Sequence, residues 1–177
     1  MNIILIGFRC SGKTTIGKII AKKLAMEFMD TDDVIEHRTG MTIEALVKKE
    51  GWKYFREIEK KIVVELSQQD SMVVATGGGI PLDRNNVKKL KTSGWVVWLK
   101  ARPSVIKQRM RQQLKSGLPR PSLTGRDPVE EVDEILAERS ALYQKIADFV
   151  VETDTKSPRE AAEQIIAHHI QLPNRKR

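Results

Sequence analysis

Short apolar runs alternate along the chain with longer segments in which apolar residues recur every three or four positions. The short runs are rich in Val and Ile, which predicts buried strands, whereas the longer segments predict helices with one apolar face. The segment after the first run carries Ile16 and Ile20 on such a face, and a later segment carries Phe55 and Ile62. The predicted strands are Asn2–Ile6, a brief run near Phe28–Met29, Met72–Ala75, Trp95–Leu99 and Phe149–Val151.

Helix-start signals lie between several of these strands. Pro103 suits a first helical turn, because the N–H that proline lacks has no helical partner there. Asp127-Pro128 with Glu130, and Ser157-Pro158 with Glu160, each combine a capping side chain, a proline and a glutamate three residues after the cap. We therefore predict that helices begin at these two caps.

The alternation of strands and helices predicts an α/β fold in three layers, with a parallel sheet between helices on both faces. The length of 177 residues suits one domain, residues 1–177. Apolar residues make up 40% and charged residues 31%, which is typical of a globular chain. The single Cys excludes a disulfide framework, and no apolar run reaches the ~18–20 residues that span a bilayer. We therefore expect a cytoplasmic protein that binds no membrane.

The positive charge of the chain is concentrated in one segment. Between Lys100 and Arg126 there are eight Lys and Arg residues and no Asp or Glu, so this segment carries the whole net charge of +8. Such a segment fits a polyphosphate clamp, a nucleic-acid footprint or a solvated helix face. Because no Phe, Tyr or Trp lies within it to stack on bases, nucleic-acid binding is the weaker interpretation.

The first strand and the first helix are joined by a phosphate-loop pattern. The sequence Gly7-Phe8-Arg9-Cys10-Ser11-Gly12-Lys13-Thr14 fits G-x-x-x-x-G-K-[ST]. Its glycines let backbone N–H groups converge on phosphate oxygens at the positive end of the helix dipole. In such a loop Lys13 reaches the β- and γ-phosphates and the Thr14 hydroxyl binds Mg²⁺. The predicted ATP-binding residues of this loop are Cys10, Ser11, Gly12, Lys13, Thr14 and Thr15.

A phosphate loop does not by itself choose between a kinase, a GTPase and an ATP-driven machine. The N-K-x-D pattern of guanine-specific domains does not occur in the chain. The buried strand near residue 75 runs into glycines rather than an Asp, so the acidic groups of the site must come from elsewhere. The nearest candidates are Asp30 and Asp32.

Further short motifs follow the phosphate loop in order: Asp30-Thr31-Asp32, Phe55-Arg56, Gly77-Gly78-Gly79, Arg120-Pro121, and Arg139 with Leu142-Tyr143. Each motif alone is weak, but their joint order and spacing resemble the shikimate kinase family. The resemblance covers nearly the whole chain, from the phosphate loop to Pro158.

This resemblance implies a fold similar to that of nucleoside monophosphate kinases among P-loop NTPases, with a five-stranded parallel sheet, a lid and a substrate-binding lobe. We expect the lobe at about 31–62 and the lid at about 112–127. The implied reaction is transfer of the γ-phosphoryl of ATP to the 3-hydroxyl of shikimate, on the route to chorismate and the aromatic amino acids. The expected partners are ATP, ADP and shikimate, with Mg²⁺ as cofactor, in a monomer that binds no nucleic acid.

The resemblance also implies roles on the substrate side. Asp32 would accept a hydrogen bond from the attacked hydroxyl, and Gly77–Gly79 would offer backbone N–H groups. Arg56 and Arg139 would hold the carboxylate of the substrate, because a guanidinium donates two parallel hydrogen bonds that Lys cannot reproduce.

On the nucleotide side, the resemblance implies that Asp30 lies behind Mg²⁺ through a water molecule. Arg120 would close over the phosphates with the lid, Arg109 would lie on the adenine face, and Lys156 would contact the nucleotide. The catalytic residues implied are Lys13, Asp32 and Arg120.

The residues alone permit plainer interpretations. Asp32 suits an acid at a helix N-terminus, and Arg56 and Arg139 each lie beside glutamates and suit surface ion pairs. Two alternatives remain open. The chain could be another small-molecule kinase, such as a gluconate kinase, or a P-loop protein with a nucleic-acid-binding or regulatory function.

Some positions depart from the family pattern. Cys10 stands where the family usually has Gly, and Ala141 stands where Pro is frequent. The lid sequence is Arg120-Pro121-Ser122-Leu123-Thr124-Gly125 rather than the common Arg-Pro-Leu-Leu. None of these departures removes a charged side chain that the implied roles require.

Overall fold

The computed structural model describes residues 1–115 and 121–172. Within them, five parallel strands form one sheet in the order β2-β3-β1-β4-β5, with helices on both faces. The α/β prediction with a five-stranded parallel sheet is therefore confirmed. The elements are β1 Asn2–Ile6, α1 Lys13–Leu24, β2 Glu27–Asp30, α2 Thr31–Thr39, α3 Ile43–Leu66, β3 Met72–Ala75, a 3₁₀ turn Ile80–Leu82, α4 Arg84–Ser93, β4 Gly94–Lys100, α5 Pro103–Lys115, α6 Val132–Ile146, β5 Phe149–Glu152 and α7 Pro158–Ile170.

The two faces of the sheet bury alternate residues of the central strand β1. Ile3 and Leu5 pack with helices α1 and α7 on one face. Ile4 and Ile6 pack with α3, α4 and α6 on the other. Because the side chains of a strand alternate between faces, a continuous apolar run such as β1 fills both cores.

One helix boundary differs from the sequence prediction. The predicted helix start at Asp127 is wrong, because α6 begins at Val132. Asp127 does act as a cap, since its Oδ1 accepts hydrogen bonds from the N–H groups of Val129 and Glu130, but it closes a turn before the helix. Helix α3 consists of two helical pieces that meet at a kink, because the backbone of Gly51 is non-helical with a φ of 80°.

The sheet topology positions the site. Strands β1, β2 and β3 are parallel neighbours, so the loops that follow them meet at one edge of the sheet. The connections at this edge are the phosphate loop, Asp30 to Asp32 where β2 passes directly into α2, and the glycines after Ala75. The lobe expected at about 31–62 corresponds to α2 and most of α3, and its limits stay a prediction, as do those of the lid at about 112–127. Residues 116–120 of that lid lie outside the described residues.

None of the helices in residues 1–115 and 121–172 combines the length and the apolar character needed to cross a bilayer.

The start of α7 offers a test of the fold. The Ser157 hydroxyl accepts from the Glu160 N–H at 3.2 Å, and the Glu160 carboxylate accepts from the Ser157 N–H at 2.7 Å. We expect Ser157→Ala to lower the free energy of unfolding by about 1 kcal/mol, because a helix N–H loses its acceptor. Ser104→Ala is the matched control, since Ser104 lies exposed inside α5 after Pro103. Urea unfolding measures both, and equal effects of the two variants would contradict the assigned cap.

Candidate active site

The phosphate loop is held in shape by the side chain of Lys13. Its ammonium donates hydrogen bonds to the backbone carbonyls of Gly7 at 2.9 Å and Phe8 at 2.7 Å. Gly12 has a φ of 97°, and Cys10 has a φ of 59°. The left-handed backbone at Cys10 favours glycine, which accounts physically for the glycine usual in the family at this position.

Thr14 and Asp30 meet beside this loop. The Thr14 hydroxyl donates to Asp30 Oδ2 at 2.6 Å, while Asp30 Oδ1 caps α2 by accepting from the Asp32 N–H at 3.0 Å. Burial raises the pKa of Asp30, and the Thr14 hydrogen bond partly offsets that effect. A hydroxyl and a carboxylate are hard oxygen donors that suit Mg²⁺, which takes few protein ligands and keeps several waters. Residues 1–115 and 121–172 contain no cluster of three or more His, Cys, Asp or Glu able to hold a metal.

A cavity of about 620 Å³ opens over the phosphate loop. Its walls include Cys10 to Thr15, Asp30, Arg109 and Lys156. Arg109 bridges two parts of the wall, because its guanidinium donates to the carbonyls of Thr153 at 2.6 Å and Cys10 at 3.3 Å. The structure therefore brings the predicted nucleotide residues together, with the exception of Arg120, which lies outside the described residues.

A second, smaller cavity of about 60 Å³ lies beside the first. Asp32, Arg56 and Arg139 all line it, although α2, α3 and α6 supply them separately. Its remaining wall consists of Phe8, Arg9, Ile43, Trp52, Phe55, Glu59, Gly77, Gly78, Gly79, Pro121 and Leu123.

The two cavities share part of their walls. Arg9, Asp32 and Gly78 line both. A molecule bound in the second cavity therefore faces, across Asp32, the space above the phosphate loop.

The glycine turn passes too close to charged groups to carry side chains. A Cβ on Gly77 would lie 2.7 Å from Glu59 Oε1 and 2.9 Å from Asp32 Oδ1, and a Cβ on Gly79 would overlap the guanidinium of Arg56. The Gly77 N–H donates to the Thr31 hydroxyl at 2.7 Å, which joins the turn to α2. The turn after β3 thus requires glycine for close approach, as well as for its bend.

Helix α6 holds the middle of this turn from the other side. The Tyr143 hydroxyl donates to the Gly78 carbonyl at 2.7 Å, and the Arg139 guanidinium donates to the same oxygen at 3.3 Å. Because the C=O and N–H of one trans peptide point in opposite directions, these bonds turn the Gly79 N–H away from α6. Burial raises the pKa of the Tyr143 phenol, so it remains a hydrogen-bond donor at neutral pH.

Glu59 is a site residue that the sequence prediction missed. It is 1% exposed and pairs with Arg56, and its Oε1 is buried with no hydrogen-bond partner among the described residues. Burial raises the pKa of Glu59 to about 7, against the lowering effect of Arg56. The sequence pattern that could have revealed Glu59 is its spacing from Phe55 and Ile62, which places it on the apolar, buried face of α3.

Part of the charge of the basic segment from Lys100 to Arg126 is balanced by acids from other parts of the chain. At least four of its cations have carboxylate partners among the described residues: the pairs are Lys100–Glu152, Arg102–Asp154, Lys107–Asp133 and Arg126–Glu134. These pairs favour the solvated-face interpretation of this segment over a nucleic-acid footprint.

Comparison with known proteins agrees with this geometry. The family model described as shikimate kinase matches residues 9–169. The shikimate kinase of Thermodesulfovibrio yellowstonii is 42% identical over 99% of this chain and 98% of its own length. That of Caldanaerobacter subterraneus is 38% identical over 98% of this chain and 99% of its own.

A solved structure also matches closely. The shikimate kinase from Acinetobacter baumannii in complex with shikimate superposes with a TM-score of 0.87 and 34% identity, covering 97% of this chain and 95% of the other. With the sequence matches over nearly its full length, this shows that the chain belongs to the shikimate kinase family.

Proposed function

We propose that the cavity over the phosphate loop holds ATP, that the second cavity holds shikimate, and that the γ-phosphoryl passes between them to the 3-hydroxyl of shikimate. The enzyme is a kinase of the shikimate pathway, which uses ATP as its phosphoryl donor. The observation that carries the assignment of the two cavities is the wall they share at Asp32 and Gly78. Phosphoryl transfer needs this in-line placement of donor and acceptor more than it needs covalent chemistry.

On the nucleotide side, the N–H groups of Cys10 to Thr15 would surround the phosphates at the start of α1. Lys13 already lies across the loop, so its ammonium needs only a short movement to reach the β- and γ-phosphates. Arg109 and Lys156 are the cations of this cavity nearest the end of β5, and we assign them to the adenosine part of ATP.

Thr14 and Asp30 would hold Mg²⁺, Thr14 through its hydroxyl and Asp30 through a water molecule. The ion supplies charge neutralisation on the β- and γ-phosphates. Burial raises the pKa of Asp30 despite its hydrogen bond from Thr14, and a bound cation would lower that pKa by favouring the charged carboxylate.

On the substrate side, Arg56 and Arg139 would clamp the carboxylate of shikimate, and Gly77–Gly79 would offer backbone N–H groups to the substrate. Arg139 is only 9% exposed, and the Arg56 guanidinium stacks over the Trp52 ring at 5.2 Å, so both cations are partly dehydrated. Partial dehydration strengthens their attraction for an anion. A planar carboxylate and a fork-shaped guanidinium also match in geometry.

Asp32 would accept the hydrogen bond of the attacked hydroxyl, since it lines both cavities at their junction. In a loose transition state the attacking oxygen has formed little bond to phosphorus and still holds its proton, so orientation of the hydroxyl is the larger part of this role.

We further propose that the enzyme works in the cytoplasm as a monomer and binds neither nucleic acid nor membrane. The partly balanced charge of the basic segment supports the exclusion of nucleic acid.

Substrate choice tests the proposed function directly. Coupled ADP release should be measured with shikimate, quinate, gluconate and a nucleoside monophosphate. We expect kcat/KM for shikimate to exceed that for gluconate by at least about 100-fold, because an open chain cannot meet the guanidinium pair and Asp32 at once without losing conformational entropy. Comparable values for gluconate, or a preference for the nucleotide, would overturn the proposal.

Replacement of Arg139 tests the carboxylate clamp. We expect Arg139→Ala to raise the KM for shikimate by about 30-fold or more, since truncating one partner of a dehydrated charge pair costs ~2–5 kcal/mol. The KM for ATP should stay nearly constant. Arg159→Ala is the control, because the Arg159 side chain is 78% exposed on α7. An unchanged shikimate KM in a folded Arg139→Ala enzyme would remove Arg139 from the clamp.

Glu59 predicts a pH dependence of shikimate binding. With a pKa of about 7, its carboxyl is neutral below that pH and charged above it. A substrate carboxylate at Arg56 would raise this pKa further, so binding takes up a proton and weakens as pH rises from 6 to 8. Calorimetric titration of shikimate in buffers of different ionisation enthalpy measures both the affinity and the proton uptake.

We expect Glu59→Gln to abolish the proton uptake and flatten this pH dependence, because an amide does not titrate. Glu57→Gln, on the exposed face of the same helix, is the matched control and should behave as the unchanged enzyme. A Glu59→Gln enzyme that keeps the full pH dependence would show that another group is responsible.

A further inference from the structure

Glu131 is a buried residue just before α6, and its carboxylate accepts hydrogen bonds from the loop that precedes it, at residues 122–124. Its side chain is 0% exposed and makes no capping bond to the helix that follows it. Instead it accepts from the Leu123 N–H at 3.0 Å, the Thr124 N–H at 3.0 Å and the Thr124 hydroxyl at 2.9 Å. The Ser122 hydroxyl also donates to it, at 2.9 Å.

These bonds hold the Glu131 carboxylate in its charged form. Burial would raise its pKa, but the hydrogen bonds from Leu123, Ser122 and Thr124 outweigh burial and hold the pKa below its ordinary value. A charged acceptor makes each of these bonds stronger than a bond between neutral groups. The segment 122–124 is therefore fixed to the start of α6 by charge-assisted bonds.

The phosphate loop reaches the same segment through Arg9. The Arg9 guanidinium donates to the Pro121 carbonyl at 3.0 Å and lies 3.8 Å from Glu131 Oε1. Phosphate loop, segment and α6 thus meet at one buried pair of opposite charges.

This segment forms part of the wall of the shikimate cavity. Pro121 and Leu123 line that cavity together with the glycine turn, and Leu123 also packs on the apolar cluster that contains Phe8 and Val132. The position of Leu123 therefore depends on the bond from its own N–H to Glu131. Nothing in the proposed chemistry assigns a role to this carboxylate.

We propose that Glu131 is a positioning residue of the substrate site, which holds Pro121 and Leu123 against bound shikimate without touching it. The inference rests on the proposed function, since it concerns the wall of the cavity assigned to shikimate. Loss of the carboxylate frees the segment, so that the substrate must order it on binding. The cost then falls on shikimate affinity rather than on ATP affinity.

The test replaces Glu131 by Gln and, as the matched control, Glu130 by Gln. Glu130 is the neighbouring residue, carries the same charge and is exposed. We expect Glu131→Gln to raise the KM for shikimate about tenfold, because an amide weakens the charge-assisted bonds to the segment. The KM for ATP should change by less than about twofold, and Glu130→Gln should match the unchanged enzyme in both.

A second variant keeps the test open if Glu131→Gln does not fold. Ser122→Ala combined with Thr124→Val removes two hydroxyl donors from an accessible loop and leaves Glu131 in place. We expect the shikimate KM to rise again, by a smaller factor, with the ATP KM unchanged. Two results would overturn the inference: a shikimate KM equal to that of Glu130→Gln, or an equal rise in the KM values for shikimate and ATP. Either result counts when it is found in both variants, or in the one variant that folds. If the enzyme without any substitution does not phosphorylate shikimate in the same assay, the proposed function is overturned instead.

Discussion

At Gly77 and Gly79, the turn after β3 lies so close to charged side chains that a Cβ at either position would displace one of them. Asp32 and Glu59 lie against one end of this turn and Arg56 against the other, while Tyr143 and Arg139 hold the carbonyl in its middle. Helices α2, α3 and α6 therefore all meet the sheet at this one backbone segment. Displacement of the turn would move every group assigned to shikimate at once.

The same approach buries a carboxyl group at a cost in stability. Glu59 is buried beside one guanidinium, and one of its oxygens has no hydrogen-bond partner among the described residues. Such a group is costly in a folded protein unless it is fully paired. Its pKa of about 7 means that folding favours its neutral form, so its contribution to stability falls as pH rises from 4.5 to 7. Removal of water by a bound ring with hydroxyl groups would complete the hydrogen bonding that the protein leaves open.

The local parts of this arrangement could be predicted from the sequence, and the parts that depend on tertiary contacts could not. The phosphate loop, the strands and the cap at Ser157 are encoded in adjacent residues, and the structure confirms them as elements. That Arg56 and Arg139 line one cavity follows from how α3 and α6 pack, and before the structure only family resemblance suggested it.

Glu59 was missed because its place between Phe55 and Ile62 on the apolar face of α3 was not used. Glu131 was missed because a glutamate in a charged stretch has the same local pattern whether it is exposed or buried. The helix start at Asp127 was placed too early for a related reason. A cap followed by proline occurs at turns as well as helices, and here the turn leaves Glu131 just before α6, where it reaches the loop at 122–124.

The central claim is that three residues distant in sequence, Asp32, Arg56 and Arg139, hold one small molecule against the glycine turn. A crystal structure of the enzyme with shikimate and ADP tests it most directly. The account predicts the ring carboxylate within hydrogen-bond distance of both guanidinium groups and a ring hydroxyl beside Asp32, facing the phosphate loop. A ring bound elsewhere, or a carboxylate turned away from the two arginines, would contradict it.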